Sequence, residues 1–212
     1  MKTRLKPIIA LFAGIAVISY FLHVLIGRLY YPDYQWLSQA ISDLTADNAP
    51  GRSIARFFST LYGIFSVLAM MGAYWLVRLD SQKHFKIAVL LFAIMLTTST
   101  IGYAFFPLSE SGYAGTFQDV MHMIVTALVV VLTMISMILF AISFKKTNQI
   151  KAFYSTLLAI TILLFSGIGT GVISPDYFGL VERFSVYTVV LYFGFIITIV
   201  TLESGKTHEQ ND

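Results

Sequence analysis

The sequence contains no cysteine. That removes disulfides, thiolate nucleophiles and cysteine-ligated metals, and it leaves the redox compartment undetermined. Charge is almost as scarce. Only 12% of residues are Asp, Glu, Lys or Arg, while 57% are hydrophobic; a soluble domain carries about 25% charged residues. So few charges cannot cover a water-facing globule, so lipid must solvate most of the surface. The apolar runs are long and continuous, without the alternation of barrel strands, which excludes a membrane β-barrel. The basic residues form no stripe, which leaves nucleic-acid binding without support.

Six apolar runs are long enough to cross a bilayer, which takes about 20 residues each. They are Pro7–Leu29, Phe57–Val77, Phe85–Phe106, Val120–Phe144, Phe153–Ile173 and Phe184–Leu202. Charge, proline or a polar turn bounds each one. The first resembles a secretory signal, but it is longer than the 7–15 residues of such a core and no small-residue cleavage site follows. It reads as a retained span. The expected fold is all-α: a single polytopic membrane domain over residues 1–212, built as a six-helix bundle.

Lysine and arginine set the expected orientation. Lys2, Arg4, Lys6, Arg78, Lys83, Lys86, Lys145, Lys146, Lys151 and Lys206 fall on one side, and Arg28, Arg52, Arg56 and Arg183 on the other. The imbalance puts both termini in the cytoplasm of a multi-pass cell-membrane protein. Seven of the eleven acidic residues (Asp33, Asp43, Asp47, Glu110, Asp119, Asp176 and Glu182) fall on the outer side. Tyr30, Tyr34, Trp36, Tyr103 and Phe105 are among the aromatic residues there, as expected of rings that settle at headgroup depth.

The odd-numbered spans leave the membrane alike: Gly27 precedes Pro32, Gly102 precedes Pro107, and Gly171 precedes Pro175. Pro32-Asp33-Tyr34 recurs as Pro175-Asp176-Tyr177. Three parallel helical hairpins would explain this, as would the ordinary use of Gly and Pro at helix ends.

Candidate functional residues gather on the outer side. In the first outer loop, Leu37, Ala40, Ile41 and Leu44 share one helical face and Gln35, Ser38, Ser42 and Thr45 the other. The spacing predicts a short amphipathic helix on the surface or over the bundle mouth. It carries Ser42 and Asp43. His23 lies within span one, and His122 opens span four three residues after Asp119. Interior ionisable residues in a membrane protein mark function by default, and i,i+3 spacing lets Asp119 orient the imidazole. Metal ligand, acid–base group, proton relay or packing residue all remain open for the two histidines. No HExxH or other single-helix metal spacing occurs, so a metal site would need several spans, for example His23, Asp43 and His122.

Glu182 and Arg183 begin span six. Arg183 opposes the helix dipole there, which predicts a fixed partner: Asp119, Glu182 or Asp176, or an anionic headgroup or substrate. Thr97 to Thr100 and the small residues from Ser166 to Gly171 predict close helix packing, with a polar passage as the alternative. The middles of spans two to six carry no charge, which argues against an ion-coupled transporter.

Ser42-Asp43-Leu44, the Phe106-Pro107 end of span three, His122 and Gly179-Leu180-Val181-Glu182-Arg183 together resemble the six-span proteins grouped as domain of unknown function 998. The similarity spans roughly residues 8 to 202. The resemblance implies no reaction; it implies that Ser42, Asp43, His122, Glu182 and Arg183 belong together. Gln118-Asp119 stands where that pattern has a histidine closely followed by an acid. Two functional readings follow. In one, an outward-facing polar pocket binds a lipid headgroup or a small polar or anionic ligand. As a hydrolase it would use His122 as base or metal ligand, Asp43 or Asp119 to orient it, Ser42 as a further catalytic candidate, and Arg183 with Glu182 and His23 for binding. In the other, the chain is a non-catalytic sensor or accessory subunit whose polar residues are structural. Cofactor and oligomeric state are left open.

Overall fold

The computed structural model describes residues 2–79 and 81–203. Asp80, Lys206 and His208 lie outside the described residues. Among the described residues the regular structure is wholly helical. Six long helices, α1 Lys2–Leu29, α2 Arg52–Val77, α3 Lys83–Phe105, α4 Phe117–Lys146, α5 Ile150–Val172 and α6 Phe178–Glu203, are each long and apolar enough to cross a membrane. The chain is a multi-pass membrane protein.

The helices outrun the apolar windows that announce them. A hydropathy window stops at the first charge, whereas a helix continues while its backbone bonds are met. Thus α2 starts at Arg52 rather than Phe57, because the long stems of Arg52 and Arg56 can lie along the helix with their charge at its end. The shift matters most at α6. A 3₁₀ turn, Pro175–Tyr177, leads into a helix that begins at Phe178, which places Glu182 and Arg183 in its second turn rather than its first.

Each helix packs on its neighbour in sequence, most extensively within the pairs α1–α2, α3–α4 and α5–α6, and α1 closes against α6. The result is a sealed ring. Its centre is filled by Phe92, Phe140, Phe144, Phe193, Met70 and Met137, all fully buried. Lipid is as apolar as these side chains, so close fit rather than water exclusion holds membrane helices together. Gly63 and Gly102 illustrate this: a β-carbon would come within 2.6 Å of Thr100 at the first and 2.5 Å of Val125 at the second. Gly169 packs against Val181 on α6, and the Ser185 hydroxyl donates to Ser166 at 2.6 Å, as the small-residue runs predict. The three glycine exits are not packed alike, however. Gly27 presses on Ala55 and Gly102 on Val125, but Gly171 has open space.

The first loop corrects the sequence reading. It forms no α-helix; residues 31–41 run through turns, and a single 3₁₀ turn spans Ser42–Thr45. Side chains take the backbone partners a helix would use. The Tyr34 hydroxyl donates to the Ala40 carbonyl at 2.7 Å, Gln39 Oε1 accepts from the Gln35 amide at 2.6 Å, and Asp43 Oδ2 accepts from the Ala40 amide at 2.9 Å. Local bonds of this kind compete directly with a helical ladder. Half of the expected apolar face turns inward: Ile41 and Leu44, with Tyr34, are buried against Tyr20, Val24, Ala55 and Val190 across the mouth of the ring, while Leu37 is exposed.

Candidate functional site

The loop between α3 and α4 completes a folded cap with the first loop. The Asp47 amide donates to the Leu108 carbonyl at 2.8 Å, the Ser111 amide to Asn48 Oδ1 at 3.2 Å, and the Gln39 side-chain amide to Ser111 Oγ at 3.0 Å. Ala46, Ala49 and Leu108 form a small apolar core beneath these bonds. On the outside, Asp47 pairs with Arg52 at 2.5 Å and accepts from Gln118 at 2.8 Å.

Asp43 is the joint of the cap. Buried at 3% exposure, it accepts from the Ala40 amide with one oxygen and from the Gly112 amide with the other, at 3.0 Å. Burial raises its carboxyl above the ordinary value, while the Gly112 and Ala40 amides, Ser111 and Arg183 pull it down. Ser42, its neighbour, is half-buried and gives its carbonyl to the Thr45 hydroxyl at 3.1 Å.

Glu182 and Arg183 clasp this cap from α6. Glu182 Oε2 accepts from the Ile41 amide at 2.8 Å. Arg183 donates from Nη1 to the carbonyls of Gln39 at 3.0 Å and Gly179 at 2.6 Å, and from Nη2 to the Tyr34 hydroxyl at 2.6 Å. The partner predicted for Arg183 is therefore not a carboxylate of Asp119, Glu182 or Asp176 in direct contact. One loop carbonyl, one carbonyl of the first turn of α6 and a phenol surround the guanidinium, whose five donors in a rigid fork suit several oxygens at once. Asp43 and Glu182 stay within electrostatic reach of it. Gly179 is what lets the two elements meet: the Leu180 amide donates to the Leu37 carbonyl at 2.9 Å, and any side chain at 179 would collide with the Gln39 carbonyl.

Asp119 does not orient His122. It accepts from the Ser109 amide and hydroxyl at 2.7 and 2.8 Å and from the Thr116 amide at 3.1 Å, forming a capping box with Thr116 at the start of α4. The i,i+3 register is real, but the capping bonds claim the carboxylate. His122 instead faces the Phe106 carbonyl through Nδ1 at 2.8 Å and stacks near Tyr103, with ring centres 4.7 Å apart. His23 makes the same kind of contact, Nδ1 to the Ala55 carbonyl at 2.9 Å. A carbonyl cannot donate, so in each ring Nδ1 carries the hydrogen of this contact. Each histidine thus ties one helix to its hairpin partner.

The candidates fall into two groups. Asp43, Glu182 and Arg183 are joined through the cap, with His122 within electrostatic reach of Asp43. Asp119 serves the α3–α4 loop, and His23 holds α1 to α2. Among the described residues no three His, Asp or Glu side chains gather in a metal-binding arrangement.

One whole-chain comparison decides the affiliation: the model of a family described as protein of unknown function (DUF998) matches residues 14–198. The chain belongs to that family. No curated protein and no solved structure matches it. Within the matched residues, Gly179 to Arg183 clasps Tyr34, Leu37, Gln39 and Ile41, the stretch that leads into Ser42-Asp43-Leu44. Sequence reasoning missed Tyr34, which looked like one more interfacial ring, and it gave Gly179 no role of its own. A signal for Tyr34 was present in Pro32-Asp33-Tyr34, a tight reversal in which Asp33 takes a φ of 63°, a conformation Asp tolerates better than most residues.

Proposed function

We propose that this protein is a non-catalytic sensor or accessory subunit of the cell membrane, with both termini cytoplasmic and a pre-folded outer cap as its recognition face. One observation carries the reading: the charged candidates Asp43, Asp119, Glu182 and Arg183 and both interior histidines are bonded to main-chain atoms of the outer loops and helix ends. Polar groups used this way fix shape, and a fixed shape suits recognition.

The test uses a reporter that the cysteine-free chain makes clean. Ala46→Cys places a thiol at a position with 0% exposure under the cap. On that background Arg183→Ala removes the charged donor shared by the Gln39 carbonyl and the Tyr34 hydroxyl, at about 1.5–3 kcal/mol for each such bond. Faster thiol labelling and a lower melting temperature are expected, with the same direction for Asp43→Ala and His122→Ala. Unchanged labelling and melting in all three would remove the structural role and leave the pocket reading.

That second reading has one observation in its favour. Asp43 lies within electrostatic reach of both His122 and Arg183, and half-buried Ser42 is adjacent. A lipid headgroup or small anionic ligand would reach them once the cap lifts, with Arg183 holding the anion and His122 serving as base. Stabilisation by glycerol phosphate that disappears in Arg183→Ala would favour it.

A further inference from the structure

A groove runs along the membrane-facing surface where the ring closes, away from every residue of the cap. Ala10, Gly14 and Val17 of α1 form one wall, and Gly194, Thr198 and Thr201 of α6 the other. Ala13 and Ile197, both buried, make the floor. The two threonines add no free polarity, because their hydroxyls donate to the Gly194 and Ile197 carbonyls within α6, at 2.9 and 2.8 Å.

Length and width select the occupant. From Leu191 to Thr201 a helix rises about 15 Å, which is half of the roughly 30 Å hydrocarbon core and so the depth of one leaflet. This stretch is the half of α6 nearer Glu203, on the face where both ends of the bundle emerge. A volume of about 400 Å³ over that length leaves a cross-section on the order of 27 Å², room for a hydrocarbon chain along its whole length. Charge then marks one end. Lys6 lies four residues before Ala10 on the same face of α1, about 6 Å further toward that surface, and is half-buried.

We propose that the α1–α6 groove is a phospholipid site, taking one acyl chain of the leaflet on the terminal side and holding that lipid's phosphate at the Lys6 ammonium. The ammonium acts as a point charge, so an anionic headgroup is preferred to a zwitterionic one.

The glycines make the test specific. A β-carbon at Gly14 meets nothing within 4 Å, and one at Gly194 meets Val17 at an ordinary 3.6 Å. Gly14→Leu therefore enters the groove with no clash at its β-carbon, and Gly194→Leu does so from the other wall. Gly167→Leu, at an equally open position on α5, is the control. The full chain in mild detergent is incubated with phosphatidylglycerol or phosphatidylcholine and weighed by native mass spectrometry. The wild type and the control should retain one phosphatidylglycerol. Either groove-filling variant should weaken it about tenfold or more, since displacing two buried methylenes already costs that factor. Lys6→Gln should erase the preference for phosphatidylglycerol over phosphatidylcholine. Undiminished binding in the folded groove-filling variants overturns the site, and an unchanged preference in Lys6→Gln overturns the phosphate contact. A dimer lost in Gly14→Leu with lipid binding intact would show that a second copy occupies the groove.

Discussion

A buried guanidinium is costly unless oxygen atoms surround it, and at Arg183 the first loop supplies them. The loop in turn has no helix or sheet to belong to, so Arg183 and Glu182 replace the ladder it lacks. Asp43 plays the complementary part from within the loop, and its burial gives it a pH signature. Its carboxyl is raised by burial, so the folded state binds the proton more tightly than the unfolded one. Its contribution to stability is then fullest below the ordinary aspartate value and is lost as pH rises through the folded value. Asp43→Asn removes that titration, and with it one of the two acceptors used by Ala40 and Gly112, at about 1 kcal/mol. The melting-temperature advantage of wild type over Asp43→Asn is expected to shrink as pH is raised from about 4 to 8. A constant gap across that range would show that Asp43 does not titrate in this way.

At the scale of elements, the helices and the loops were unequally legible. The six spans could be read because twenty apolar residues in a row have few alternatives to a membrane helix. Their ends could not, because Thr116 and Asp119 start α4 by capping, which hydropathy does not register. The cap was least visible. Its bonds join residues 69 apart at Asp43–Gly112 and 149 apart at Tyr34–Arg183, separations at which local periodicity carries no information. The period seen in residues 35–45 correctly marked Ile41 and Leu44 as inward-facing, yet it could not foresee that Tyr34 and Asp43 would take the helix's backbone partners. The capping box offers its own check. Thr116→Ala removes the side-chain acceptor for the Asp119 amide, a loss of about 1 kcal/mol. Amide hydrogen exchange should quicken over the first turn of α4 and the Ser109 loop while α5 stays unchanged. Uniform exchange across both helices would mean that α4 does not depend on its cap.

Among the described residues the molecule is a ring of helices with a folded cap at one end and short helix connections at the other. The excess of lysine and arginine on the end opposite the cap predicts that it faces the cytoplasm. Single thiols report this directly: Ala114→Cys on the exposed outer loop should react with a membrane-impermeant reagent in intact cells, and Thr3→Cys only after lysis. The opposite pattern would invert the topology. The charge count alone predicts the sidedness, but the pairing of α1 with α6 needed coordinates, since no span announces its neighbour.

Ring closure also has a consequence in time. Ile41 and Glu182 are 141 residues apart, so at about 5–20 residues per second a ribosome takes roughly 7 to 28 s to supply the clasp after the loop it holds. Through that interval the first loop has emerged without Glu182, Arg183 or the α6 wall beneath it. The clasp therefore cannot set until the start of α6 has been made, long after the loop it holds.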